Sequence, residues 1–175
     1  PGRRKDRYRF ARDWSPFRHQ LSAWQALAET PARSVLVTSG TGSGKTECFL
    51  IPILDALVRQ RERTRRLSGV RAIMLYPLNA LINSQRDRLT DWIAPFGGDL
   101  RYCLYNGETK EEARAAEQHH QPWRVLSRKE LRADPPPILV TNVTMLEYML
   151  LRDVEAPLLQ GAPGQLRGSV LDEAH

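Results

Sequence analysis

Apolar residues along the chain follow two rhythms. Short, nearly unbroken apolar runs occupy residues 34 to 39 (SVLVTS), 70 to 77 (VRAIMLYP), 100 to 107 (LRYCLYNG), 137 to 142 (PILVTN) and 168 to 173 (GSVLDE). Unbroken runs of this length predict strands covered on both faces, because a strand with one wet face alternates apolar with polar positions. Between the runs, apolar positions recur every three to four residues, which predicts helices over Glu47 to Arg66, Leu78 to Ile93, Lys110 to His119 and Val143 to Leu151. Ahead of the first run, Leu21, Trp24, Ala26, Leu27 and Ala28 predict one more amphipathic helix, laid across the sheet. Strands alternating with helices imply βαβ units, and so an α/β fold with a parallel sheet and helices on both faces. Residues 122 to 137 read as a surface excursion whose Pro135-Pro136-Pro137 run sets an extended entry into the next strand. Residues 59 to 69 (RQRERTRRLSG) read as a basic, solvated helix end closing at Gly69.

Composition narrows the class. The length of 175 residues, 41% hydrophobic and 26% charged, suits one domain with a real core. No apolar run approaches the roughly 20 residues that span a bilayer, and the basic N-terminus PGRRKDRYRF lacks the apolar segment of a signal peptide. A cytoplasmic protein without a membrane partner is expected. Cys48 and Cys103 each sit in an apolar stretch, as reduced, buried thiols do. A net charge of +6 points to a polyanionic partner such as nucleic acid. The sequence opens without Met and stops on LDEAH, a strand-like ending, so we expect a piece of a longer protein.

Candidate chemistry begins at residues 37 to 49, VTSGTGSGKTECF. A phosphate-binding P-loop asks for Gly, four residues, then Gly-Lys-Ser/Thr. Here Ser39 stands where the first Gly belongs, and Gly44-Lys45-Thr46 completes the pattern. Gly40 and Gly42 supply the freedom for positive φ. Successive N–H groups from Gly42 through Ser43 and Gly44 to Thr46 can point inward as an anion nest, with the positive end of a helix behind it and Thr41 beside it in the nucleotide-binding loop. Lys45 would then reach the β- and γ-phosphates of a nucleotide, and the Thr46 hydroxyl would hold Mg²⁺. At the other end of the chain, VLDEAH closes a strand on Asp172 and Glu173, at the sheet edge where open α/β folds bind ligands. Asp172 would hold Mg²⁺, and Glu173 would polarise the water that attacks the γ-phosphate.

SGTGSGKT followed by LDEAH resembles motifs I and II of superfamily 2 helicases, the DEAD/DEAH-box group. FRHQ (17 to 20) resembles the upstream Gln motif of that group, YPLNALINSQRDRL (76 to 89) its motif Ia, and LVTNVTMLEYML (139 to 150) its motif Ib. LYNGET (104 to 109) stands where such helicases carry a Gly-containing turn on the nucleic-acid side. The resemblance covers residues 17 to 175 and implies the first RecA-like ATP-binding lobe, incomplete at its C-terminus after motif II, with residues 1 to 16 a basic extension. It implies that Gln20 recognises the adenine of ATP, with Gln25 as the alternative, and that His175 couples the nucleotide site to the rest of the machine. The wording of motifs Ia and Ib is similar to bacterial DNA helicases of the mitomycin-repair and phage-defence types, which implies DNA as substrate and repair or defence subunits as partners. Two positions depart from the family pattern: Ser39 replaces Gly or Ala, and Asn142 stands where Pro often follows Thr.

Pro77, Asn79, Thr141, Asn142 and Thr144 follow strands or open helices, so they are expected at the carboxyl edge of the sheet. Contacts there go to phosphates and sugars, positioning a strand without reading it. Asn79 has a second reading as a helix cap, and Arg86 and Arg88 are either further phosphate contacts or solvated. The resemblance implies that a second RecA-like lobe, with an arginine finger, completes the catalytic cleft, so this piece alone is expected to be nearly inactive. Other readings stay open: a duplex-DNA translocase of a restriction or defence complex that separates no strands, an RNA helicase, or a P-loop enzyme without nucleic acid, such as a small-molecule kinase.

Overall fold

The computed structural model describes residues 13–31, 33–40, 42–65, 67, 69–155, 158 and 166–172. They fall into two compact units, one within Phe10–Arg63 and one within Thr64–His175.

The first unit holds helices α1 (Arg18–Ala28) and α2 (Lys45–Thr64). α1 buries Ala23 and Gln20, while α2 buries Leu50, Leu54 and Leu57 along one stripe and Cys48 apart from it, in the first turn. α2 stops near the expected place because Arg65 turns to φ 59, the left-handed conformation that ends helices. The expected strand at 34 to 39 does not form. These residues join no sheet, and Leu36 is 89% exposed. An apolar run marks a segment that fits a sheet, but only a neighbouring strand can take up its N–H and C=O groups.

The second unit is a five-stranded sheet, all parallel, in the order β3-β2-β4-β1-β5, where β1 is Ala72–Leu75, β2 Tyr102–Leu104, β3 Arg124–Val125, β4 Ile138–Thr141 and β5 Gly168–Leu171. The helices are α3 (Asn79–Ile93), α4 (Ala115–His120), α5 (Arg128–Ala133) and α6 (Val143–Leu151). Ile138, Leu139 and Val140 are wholly buried, as an unbroken apolar run demands. Neighbours on β2 show why. Tyr102 turns to α3, its hydroxyl 2.8 Å from Thr90 Oγ1, whereas Cys103 joins Leu131 of α5 and Met145 and Met149 of α6 in one apolar cluster. Successive side chains on a strand point to opposite faces, so helices cover both. Each fully buried Leu, Ile or Met here contributes about 1.5–3 kcal/mol. Cys103 is a free thiol, pushed up to about 12 by burial, and Cys48 is free and buried as well, in line with the reduced state expected.

Residues 122 to 137 are more than an excursion. They contain the outer strand β3 and the helix α5, which Ser127 caps by accepting the Glu130 N–H at 3.3 Å. The sequence carried that signal as Ser127-x-x-Glu130. α4 in turn starts at Ala115 rather than Lys110. Lys110 and Glu111 give their carbonyls to Arg128 N and Lys129 N, at 2.9 and 3.1 Å, and these long-range bonds displace the helical ones.

Candidate nucleotide site and nucleic-acid edge

In the first unit, the loop after Ser39 turns because Gly42 and Gly44 both take φ 77, a conformation free to glycine alone. α2 then begins at Lys45 itself. The N–H groups of Gly42, Ser43 and Gly44 meet no acceptor among the described residues. The first N–H groups of α2 lack intrahelical partners by geometry. Such a donor set fits a polyphosphate, which the positive helix end would hold as well. Lys45 Nζ donates to Ser39 O (2.7 Å) and Gly40 O (3.1 Å), so its ammonium folds back over the loop that presents those amides. Ser39 also has a positive part: its Oγ lies 2.5 Å from Ser43 Oγ and ties the two ends of the loop together.

α1 braces this loop. Gln20, 1% exposed, accepts from Phe17 N through Oε1 (2.9 Å) and donates from Nε2 to Gly44 O (3.0 Å). Each end of that amide keeps capacity for one further bond. Gln25 is exposed on the opposite side of the helix, so of the two glutamines only Gln20 reaches the loop. Sequence reasoning missed two more braces: His19 Nε2 lies 3.0 Å from Ser43 O, and Trp24 Nε1 donates to Glu47 O at 2.9 Å. The four-residue spacing of Gln20 and Trp24, which puts them on one helix face, was the available signal. Gln20→Ala would remove the bonds to Phe17 N and Gly44 O, leaving that carbonyl the weaker contact with Cys48 Sγ at 3.8 Å. The expected loss is about 1–3 kcal/mol of stability, read by denaturant titration of tryptophan fluorescence.

In the second unit, the registers place Leu75 beside both Thr141 and Leu171, and Leu104 beside Val140. The segments after β1, β2, β4 and β5 therefore leave the sheet at one edge. Pro77, Asn79 and Thr144 are exposed there. Asn142 caps α6, accepting from Met145 N through Oδ1 (2.7 Å), while its Nδ2 donates to Asn79 Oδ1 (2.7 Å). Asn79 is the first residue of α3 and Leu78 holds the cap position, so Asn79 is not the cap of its own helix. Thr141 departs from expectation. It is fully buried, and its hydroxyl donates to Tyr105 O at 2.7 Å, so it holds the turn after β2 and offers nothing to a phosphate. Arg86 lies 3.5 Å from Asp87, both half-exposed. Asp172 leaves β5 with its N–H on Leu75 O at 3.1 Å, in the unit opposite to the one that holds Thr46. Thr41, Glu173 and His175 lie outside the described residues.

The profile of the DEAD/DEAH box helicase matches residues 17–175. The chain belongs to the DEAD/DEAH box helicase family. Among curated relatives, the Druantia protein DruE of Escherichia coli is 24% identical over 91% of this chain and 14% of its own length. The uncharacterized ATP-dependent helicase YprA of Bacillus subtilis is 30% identical over 56% of this chain and 12% of its own length. The chain thus spans well under a fifth of either relative. Among solved structures, the DUF1998 helicase MrfA bound to DNA aligns with a TM-score of 0.52 and 27% identity, over 74% of this chain and 15% of that one. Relatives named as RNA helicases match too. No helix among the described residues is long and apolar enough to cross a membrane.

Proposed function

We propose that this family member is the ATP-binding part of a cytoplasmic DNA helicase or translocase, in which the loop Thr41 to Thr46 binds ATP and the sheet edge of the second unit holds a DNA strand. The observation that carries the reading is the free amide set of Gly42 to Gly44 at the start of α2, with Lys45 folded over it and Gln20 bracing it. As phosphate enters, Lys45 exchanges the carbonyls of Ser39 and Gly40 for phosphate oxygens, a charge-assisted contact of greater strength. Gln20 then uses its spare amide capacity for the adenine edge. Mg²⁺, held by Thr46 and Asp172, would neutralise charge on the phosphates, and Glu173 would take the proton of the attacking water. His175 would pass the state of this site onward, and a second RecA-like lobe would supply the arginine finger.

Pro77, Asn79, Asn142 and Thr144 would meet sugar and phosphate, which suits a motor that must not read sequence. The likeness to a DNA-bound helicase structure favours DNA, while the relatives named for RNA keep an RNA helicase as the second reading. Repair or defence subunits are the expected partners, in keeping with the wording of residues 76 to 89 and 139 to 150. Strand displacement by the full-length protein on matched DNA and RNA partial duplexes tests this. ATP-dependent release of the DNA strand is the expected result. Release of RNA alone would turn the assignment to an RNA helicase, and ATP-driven movement without release would make the protein a pure translocase.

A further inference from the structure

In the second unit, Arg128 at the start of α5 makes four side-chain hydrogen bonds. Its Nε donates to Thr109 O (2.9 Å), Nη2 to Asn106 O (3.3 Å) and Nη1 to the Tyr105 hydroxyl (2.9 Å) and Glu155 Oε1 (3.4 Å). The guanidinium also lies 4.9 Å from the centre of the Tyr105 ring. Tyr105 in turn donates its hydroxyl to Glu155 Oε1. Burial first, and then the bond to Glu155, push that hydroxyl well above its usual range, so it remains a donor. Glu155 is buried, and its other oxygen has no partner among the described residues. Breaking such a buried pair costs far more than a surface pair contributes.

These bonds converge on the turn Asn106-Gly107-Glu108-Thr109 at the carboxyl edge of the sheet. Arg128 takes the carbonyls at the two ends of the turn, and inside it Asn106 Oδ1 accepts from Glu108 N at 3.0 Å. Thr141, beside the Asn142–Asn79 pair, fixes its base through Tyr105 O. Exposed Gly107 has an N–H that meets no acceptor among the described residues, and open space where a Cβ would stand. We propose that Arg128, with Tyr105 and Glu155, is a positioning cluster that sets the Asn106–Thr109 turn so that the Gly107 amide meets a backbone phosphate of the bound strand. This rests on the reading of the sheet edge as the nucleic-acid site. A lysine carries one point charge on a flexible stem, and cannot satisfy two carbonyls, a hydroxyl and a carboxylate in fixed directions as a guanidinium does.

The test is equilibrium binding of a fluorescent single-stranded DNA to the full-length protein, over a range of salt, for the wild type and for the Arg128→Lys, Tyr105→Phe and Asn79→Ala variants. Each variant is measured below its own thermal transition. Arg128→Lys is expected to weaken binding about tenfold, the scale of one lost hydrogen bond to a charged group. The salt slope is expected to stay that of the wild type, because the Gly107 amide is neutral and releases no counterion; a slope flattened by about one would instead make Arg128 a direct phosphate contact and overturn its positioning role. Tyr105→Phe removes only a hydroxyl and covers the case in which the lysine variant fails to fold; it is expected to shift binding in the same direction. Wild-type affinity in Arg128→Lys and Tyr105→Phe, with weakened binding in Asn79→Ala, would overturn the cluster's role alone. Wild-type behaviour in Asn79→Ala as well would overturn the sheet-edge reading and the cluster's role with it.

Discussion

Lys45→Ala is expected to remove ATP turnover, lowering kcat by about 10²- to 10³-fold, the scale seen when one preorganised donor to a developing negative charge is lost. The expectation follows from the place of Lys45 more than from its membership in a motif. Its Nζ lies within hydrogen-bond distance of the Ser39 and Gly40 carbonyls, in the same loop as amides that meet no acceptor among the described residues. A γ-phosphate seated on those amides would draw the ammonium from these two carbonyls to its own oxygens. Alanine keeps the helix and its dipole, so nucleotide should still bind, more weakly, while the charge that transfer requires goes uncompensated. Steady-state hydrolysis by the full-length protein, beside fluorescent nucleotide binding, separates the two effects.

Gly44→Ala is expected to damage the same site by a different route. At φ 77 an alanine is strained, at about 1–3 kcal/mol. Its Cβ would also stand 2.5 Å from Gln20 Nε2, an atom pinned in a buried amide. Relief would require Gln20 to leave Gly44, which undoes the brace between α1 and the loop. We expect a lower midpoint in thermal unfolding and at least about tenfold weaker ATP binding, read by calorimetry. Gly40 is the control within the same loop, since a Cβ there would meet nothing within 4 Å. Gly40→Ala should therefore stay close to wild type.

The sequence was most legible where the determining forces are local or where burial covers both strand faces. β1, β2, β4 and β5 lie within their apolar runs, and α6 spans Val143–Leu151 as its periodicity implies. The turn at Gly42 and Gly44 and the helix that starts at Lys45 were legible because the residues that set them are contiguous. What the sequence hid depends on partners far along the chain. Residues 34 to 39 have the composition of a strand and pair with none. Residues 110 to 114 have the pattern of a helix, but the start of α5 takes their first carbonyls. Asn79 meets Asn142 across 63 positions, and Tyr105 meets Glu155 across 50, so neither pair leaves a trace in local spacing. Thr141 shows the converse error: a polar residue at a strand end was expected to face a ligand, and it serves the neighbouring backbone instead.

The central claim is that ATP bound at Lys45 drives work on a DNA strand held at the sheet edge. Its most direct test is ATP hydrolysis by the full-length protein alone and with single-stranded DNA, duplex DNA or RNA, each beside Lys45→Ala. The account predicts strong stimulation by DNA that vanishes in the variant. Turnover that depends on Lys45 and ignores every nucleic acid would contradict it, leaving a working nucleotide loop with some other load.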